Sequence, residues 1–358
     1  MPAVTRRETE TAAPPAEVLE AFALDAGSLR RAHSGIINQT WFARAVGGTR
    51  CVLQRVHEIF PAEIHYDIDV VTRHLRARGM ITPELLRSRS GALWHECNGV
   101  WRAMTYVDGR THEALRTPAE AREAGRVLAS FHHALADLDH EFRNARFGVH
   151  DTGRHLETLR AALTEHRAHA RFTAVAPLGA EVLELAGEIR AMPGAPDRIV
   201  HGDPKVSNVL FAGRGARALC LIDLDTLARM PVAFELGDAF RSWCNPKTED
   251  AKSARLDLPL FTAAVRGYAA GVQGLLHPAE WQAIPAGIFR IAVELAARFC
   301  ADALHERYFA WDVRRYASAS EHNEARARGQ INLARTIHAQ RAPIEQAVAQ
   351  AFAGDRLV

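Results

Sequence analysis

His201-Gly202-Asp203-Pro204-Lys205-Val206-Ser207-Asn208, followed after a short gap by Ile222-Asp223-Leu224-Asp225, gathers residue types that can do chemistry together. An Asp held in a tight loop can orient a hydroxyl and accept its proton as the oxygen bonds to phosphorus. The Asn five residues later and the Asp at the end of the next strand offer an amide carbonyl and a carboxylate. Both are hard oxygen ligands suited to Mg2+ against the phosphates of ATP. Lys205 adds positive charge where a transferring γ-phosphoryl group gathers negative charge. His201 fits a supporting hydrogen-bond role. Any one of these Asp residues alone would read as a helix cap or a turn. The combination points to phosphoryl transfer, with Asp203 and Lys205 as catalytic candidates and Asn208 and Asp223 as metal ligands.

The elements around these residues must bring them together. Val209-Leu210-Phe211 and Ala218-Leu219-Cys220-Leu221-Ile222 are short apolar runs separated by Gly213-Arg214-Gly215. They read as the two strands of a hairpin. Asn208 then enters one strand as Asp223 leaves the other, so the two side chains can meet at one end.

The N-terminal third reads as a small sheet. A short helix is predicted over 16–24, then strands over 28–33, 37–46 and 49–56, with Gly47-Gly48 as a hairpin turn. Pro61 opens a helical stretch to Arg78. Strands near 82–88, 92–97 and 100–107 complete the sheet, turned at Ser90-Gly91 and Asn98-Gly99. The remainder reads as mostly helical. Helices are predicted from Pro118, over 153–166 and 177–191, and then over 233–243, 255–273, 279–305 and 321–352. In the helix over 279–305, Ile288, Ile291, Leu295 and Phe299 form an apolar stripe, with Glu294, Arg298 and Asp302 at four-residue steps beside it. Two readings stand. The charges form a salt-bridge ladder, or the acids hold Arg298 toward a polar substrate. Tyr308, Phe309 and Trp311 offer either a face for a sugar ring or core packing.

Bulk properties narrow the function classes. A chain of 358 residues, 48% of them hydrophobic, suffices for two lobes with a buried core. A net charge of +2 marks no polyanion-binding surface, so no nucleic-acid partner is expected. The five cysteines are widely spaced without a Cys-x-x-Cys pair, which favours reduced thiols and a cytoplasmic location. The first fifteen residues lack a signal-peptide core, and no apolar run is long enough to span a membrane. The eighteen histidines are scattered and contain no His-Glu-x-x-His.

From about Ser34 to Ala334 the chain resembles the aminoglycoside phosphotransferase and choline kinase group, and within it looks most like the N-acetylhexosamine 1-kinases. Besides the segments above, the resemblance is carried by Gly35-Ile36-Ile37-Asn38-Gln39-Thr40-Trp41, Val52-Leu53-Gln54-Arg55-Val56, Ile59-Phe60-Pro61, His150-Asp151-Thr152, Gly237-Asp238-Ala239-Phe240-Arg241, Arg298-Phe299, Tyr308-Phe309 and Gln330-Ile331. It implies an α+β, protein-kinase-like bilobal fold. A flexible N-terminus over 1–15 would precede a nucleotide-binding N-lobe over 16–107, with a small antiparallel sheet. A larger, mostly helical C-lobe over 108–358 would carry the catalytic loop and the acceptor site. It further implies Mg·ATP and a small-molecule hydroxyl acceptor, best a sugar at its anomeric hydroxyl. The loop at Gly35 would cover the phosphates, with Asn38, Thr40 and Gln54 beside them. Met104, Tyr106 and Val107 would lead into a hinge that binds adenine. Asp225 would assist the metal or order the strand end, Asp238 would brace the catalytic loop, and Arg298 and Tyr308 would contact the acceptor. A carboxylate is expected on the helix after Pro61, either Asp67 or Asp69. Gln54 stands where the group carries a Lys that pairs with phosphate, and Arg55 should face the other side of the sheet. Aminoglycoside, choline and homoserine kinases are alternative readings, as is a nucleotide-binding pseudokinase.

Overall fold

The computed structural model describes residues 13–32, 38–143, 149–272 and 274–354. Gly35 lies outside them. The chain divides into two compact units, Met1–Arg73 with Pro83–Val107, and His74–Thr82 with Asp108–Val358.

The first unit begins with helix α1 (Ala16–Ala21), followed by strands β1 (Arg30–Arg31), β2 (Gln39–Arg44) and β3 (Arg50–Val56). Helix α2 (Ile64–Ala77) comes next, then β4 (Leu85–Leu86), β5 (His95–Glu96) and β6 (Val100–Thr105). The strands form one antiparallel sheet in the order β1-β2-β3-β6-β4, with β5 also paired to β6. Successive side chains of a strand point to opposite faces. On one face Trp41, Ala43, Cys51, Leu53, Trp101 and Ala103 are buried in one core with Val18 and Leu19 of α1 and Phe22 just after it. Trp41 and Trp101 lie with ring centroids 5.4 Å apart. On the other face, register places Thr40 opposite Gln54, and Gln54 opposite Arg102. Arg55 lies on the α1 side and donates from Nη2 to the Asn98 carbonyl at 2.5 Å. Proline opens the approach to α2 as expected, but helical geometry starts at Ile64, after a turn in which the Ile64 amide donates to the Pro61 carbonyl.

The second unit is helical around a small β layer. Helices α3 (Pro118–Ala134), α4 (Thr152–Glu165) and α5 (Phe172–Ala186) lead to β7 (Asp197–Val200) and the hairpin of β8 (Val209–Phe211) and β9 (Ala218–Leu221). Strand β10 (Ala228–Pro231) returns to pair antiparallel with β7. Then follow α6 (Val232–Trp243), α7 (Leu258–Gly271), α8 (Pro278–Gln282), α9 (Ile284–His305), α10 (Ala319–Ala339) and α11 (Arg341–Ala353). Helix α9 is the central element: α4, α5, α6 and α10 pack on it, and Ile288, Ile291, Ala292 and Ala296 are fully buried. Helices α3 and α7 approach so closely that a Cβ on Gly125 would sit 2.1 Å from the Ala264 carbonyl oxygen.

Besides the strands predicted over 28–33, 82–88 and 92–97, which are only two residues each (β1, β4 and β5), four features differ from the sequence expectations. The helix predicted over 279–305 is two, because the chain breaks at Ala283 and restarts with Pro285 in its first turn; proline has no amide to continue the preceding helix. The helix predicted over 321–352 also breaks, at Gln340, whose amide closes the end of α10 on the Thr336 and His338 carbonyls. Helix α5 starts before Pro177 and carries it inside. The β7–β10 pair was not anticipated, since each strand is only four residues long and its partner lies beyond the intervening hairpin. Among the described residues no helix is long and apolar enough to cross a membrane.

Candidate active site

The β7–β8 connection holds Asp203, and four neighbours fix its shape. Glu235, 1% exposed in the first turn of α6, accepts the backbone amides of His201 and Gly202, each at 2.9 Å. His201 is fully buried. Its Nε2 donates to the Ile222 carbonyl at 2.9 Å, and its Nδ1 accepts from the Asp203 amide at 3.3 Å. That pairing requires the neutral ring with hydrogen on Nε2. Trp243 Nε1 donates to the Pro204 carbonyl at 2.7 Å, and Ser242 Oγ accepts the Val206 amide at 3.0 Å. Gly202 makes the turn with φ +82°, and a Cβ there would sit 2.1 Å from the Thr226 carbonyl oxygen. Sequence reasoning missed Glu235, Ser242 and Trp243. A buried Glu four residues after β10 and the α6 positions that follow carry no spacing signal of their own.

Three candidates converge directly. Lys205 Nζ lies 2.5 Å from Asp203 Oδ2. The Asn208 amide nitrogen donates to the Asp203 carbonyl at 2.8 Å and to Oδ2 at 3.2 Å. Asn208 therefore spends its donor end on Asp203, which leaves the amide oxygen as the end suited to a cation. Burial works against the Lys205 charge, but Asp203, Asp223 and then Asp238 outweigh it, so its pKa is raised above the ordinary lysine value. The ammonium stays charged throughout the physiological range.

Asp223 follows β9, and the Ile222 amide beside it donates to the Asn208 carbonyl at 2.9 Å. Its backbone is left-handed, φ 67° and ψ 60°, a conformation uncommon for a residue with a Cβ and tolerated best by Asn and Asp. Asp225 follows in a single 3-10 turn, 3% exposed. The donor set fits Mg2+ delivered with phosphate. Among the described residues no group of three or more His, Cys, Asp or Glu is placed to hold a metal alone. Mg2+ characteristically takes one or two protein oxygens and fills its octahedron with phosphate oxygens and water. Asn208 and Asp223 would be those two ligands.

Asp238, on α6, pairs with Arg241 at 2.7 Å. Burial opposes its ionisation, but the Arg241 guanidinium and then His150 hold its pKa below the usual carboxylate range. Arg241 extends a polar chain. It reaches Glu249 at 3.1 Å, and Glu249 lies 3.7 Å from Arg326 on α10. Arg326 donates to Asn323 at 3.3 Å, and Asn323 donates to Asp302 at 2.9 Å. Asp302 in turn accepts the backbone amides of Arg307, Tyr308 and Phe309, at 3.0, 2.8 and 2.8 Å. The helix that carries the Asp203 brace is thereby linked to the turn that carries Tyr308.

Neither sequence reading of the Glu294-Arg298-Asp302 row matches this arrangement. Glu294 is fully buried and accepts from Thr152 Oγ1 at 2.7 Å, with His150 Nδ1 at 2.9 Å. Asp302 caps the 307–309 turn. Arg298 is held instead by aromatic faces, its guanidinium carbon 5.5 Å from the ring centroids of both Tyr308 and Phe309. Tyr308 is 57% exposed.

In the first unit, Asn38 Oδ1 accepts the His57 amide at 2.9 Å. Gln54 donates from Nε2 to Thr40 Oγ1 at 3.1 Å and accepts from Arg102 Nε at 2.9 Å. Met104 is buried on β6. Tyr106 stands edge-on to Phe42 at 5.8 Å and under the Arg50 guanidinium at 4.4 Å. Val107 closes the first unit. Of the two α2 carboxylates, Asp69 pairs with Arg73 and Arg87 at 3.1 and 3.3 Å, and Asp67 is 3% exposed.

Residues 28–271 match the phosphotransferase enzyme family. A homoserine kinase from Methylobacterium nodulans is 27% identical over 241 residues, covering 64% of this chain and 70% of its own length. One from Methylobacterium radiotolerans is 27% identical over 240 residues, covering 64% and 68%. An amicoumacin kinase, solved with AMP-PNP and Ca2+, superposes with a TM-score of 0.60 at 13% identity, over 88% of this chain and 91% of that one. A microcompartment-associated aminopropanol kinase gives 0.60 at 16% identity, over 91% and 97%. Identities this low bear on the fold alone, which is the α+β kinase-like architecture. The family match covers well over half of the sequence and runs through the Asp203 loop and the β8–β9 hairpin, so the chain belongs to the phosphotransferase enzyme family.

Proposed function

We propose that the chain transfers the γ-phosphoryl group of Mg·ATP to a hydroxyl of a small polar acceptor, with the anomeric hydroxyl of an N-acetylhexosamine or related hexose as the leading choice. The observation that carries the transfer chemistry is the braced loop in which Lys205 and Asn208 both bond the Asp203 carboxylate. Asp203 takes the acceptor proton as the acceptor oxygen bonds to the γ-phosphorus and the bridge to the β-phosphate breaks, releasing ADP. Lys205 offsets charge on the transferring group. Mg2+ held by Asn208 and Asp223, with Asp225 beside them, would neutralise phosphate charge. An anomeric hydroxyl is more acidic than an ordinary alcohol, so a carboxylate base is adequate.

The sugar reading is supported by the Arg298–Tyr308–Phe309 cluster. A flat aromatic and guanidinium surface with a phenol and N–H groups at its edge suits the apolar face and hydroxyl rim of a pyranose. A second reading, a homoserine-type amino-acid alcohol, is favoured by the homoserine kinase relatives. The test is ATP consumption with Mg2+ over free hexoses, N-acetylhexosamines, homoserine, choline, aminopropanol and aminoglycosides. A hexose or N-acetylhexosamine alone as acceptor, giving an acid-labile 1-phosphate, is the expected result. Turnover with homoserine alone replaces the first reading by the second. Nucleotide binding with no acceptor consumed across a broad panel points to a binding module.

A further inference from the structure

Gln54 and Arg102 are hydrogen-bonded to each other across two neighbouring strands of the small sheet. In the kinase arrangement the cation that pairs with the nucleotide phosphates stands on the third strand of the small sheet. On β3 the face away from α1 carries Arg50, Val52, Gln54 and Val56. Arg50, at the far end of the strand, lies over the Tyr106 ring at 4.4 Å, and Gln54 is neutral. Strand register sets Arg102 of β6 directly opposite Gln54 on that face. Arg102 is 1% exposed, and a cationic side chain is seldom so deeply buried unless it is paired.

The hydrogen bonds have a direction. Arg102 Nε donates to Gln54 Oε1 at 2.9 Å, and Gln54 Nε2 donates to Thr40 Oγ1 at 3.1 Å. The charged donor fixes which way the amide points. Gln54 therefore presents its NH2 end along the face, and one of its two hydrogens is used by Thr40. We infer that Arg102 supplies the positive charge, and the Gln54 amide it orients supplies the N–H donor, for the phosphates of the bound nucleotide. The cation has moved one strand over, and a neutral amide relays its polarity. This rests on the nucleotide-dependent reading above.

The experiment titrates wild type, Gln54→Glu and Arg102→Gln with Mg·ADP, and with adenosine by competition against a fluorescent nucleoside. Gln54→Glu keeps the shape and the bond to Arg102 but cancels the charge, so it reports even if Arg102→Gln does not fold. Mg·ADP should bind about tenfold or more weakly to Gln54→Glu, with adenosine within about twofold of wild type. Folded Arg102→Gln should behave likewise. Unchanged Mg·ADP affinity in Gln54→Glu would overturn the inference, as would parallel loss of ADP and adenosine, the signature of a general structural role. A wild-type protein that binds neither ADP nor ATP would remove the functional reading as well as this inference.

Discussion

Glu235 accepts the amides of His201 and Gly202 with its two carboxylate oxygens, both at 2.9 Å, and so fixes the entry to the Asp203 loop from the helix behind it. A buried carboxylate bound to two N–H groups makes charge-assisted hydrogen bonds in a low-dielectric setting.

Glu235→Ala should lower stability by about 2–3 kcal/mol, since one buried and one half-buried amide lose their acceptor. It should lower kcat by at least about tenfold. Thermal unfolding and steady-state kinetics on the same preparation test both. A fully active Glu235→Ala would show that other contacts hold the loop.

Gly202→Ala meets two obstacles, φ +82° and a Cβ 2.1 Å from the Thr226 carbonyl oxygen. Backbone strain of about 1–3 kcal/mol is expected, together with a displaced Asp203. Turnover should fall about a hundredfold or more, with Mg·ATP affinity much less changed.

Lys205 stays charged because Asp203, Asp223 and Asp238 outweigh its burial. Lys205→Met should cut kcat by about tenfold to a hundredfold. Lys205→Arg should recover part of the loss, because it keeps the charge but not the geometry. Equal activity of all three proteins would exclude an electrostatic role.

His322 gives the pH dependence. Burial first, and then the nearby Arg326 charge, push its pKa down to about 4 against the partial support of Asp250. Its Nδ1 also accepts the Asp312 amide at 3.2 Å, which a protonated ring cannot do. The unfolded chain binds this proton more readily than the folded one, so stability is full above about pH 6.5 and falls as the pH drops toward 4. His322→Gln should flatten the decline in Tm between about pH 6.5 and 4.5. An unchanged slope would place the acid sensitivity elsewhere.

The reach of the sequence follows from how local each signal is. The Asp203–Asn208 spacing and the β8–β9 hairpin are local, so the sequence alone places Asn208 and Asp223 at one end of a hairpin. The small sheet was legible from its alternation and from turns such as Asn98-Gly99, both with positive φ. Contacts between distant elements left no such trace. Glu235 under His201, Arg102 across from Gln54, and the chain of contacts from Asp238 to Asp302 each join residues that no spacing rule relates. The Arg298 row shows the converse hazard. Its four-residue charge spacing is a fair signal for a ladder, but Glu294 and Asp302 each satisfy other buried donors, and aromatic rings take the guanidinium.

The acceptor side is tested at Arg298. Arg298→Ala removes the flat surface between Tyr308 and Phe309 and should raise the acceptor KM by about tenfold or more. The KM for ATP should stay within about twofold. Parallel changes in both would mean that Arg298 supports the fold and not the acceptor.

The central claim is that Asp203 is the proton acceptor of a phosphoryl transfer. The most direct measurement is Asp203→Asn, with single-turnover phosphoryl transfer to the best acceptor and Mg·ATP binding by calorimetry on the same protein. The account predicts at least about a thousandfold loss of transfer, with Mg·ATP affinity within about threefold of wild type. Transfer within tenfold of wild type, about 1.4 kcal/mol in the barrier, would contradict it.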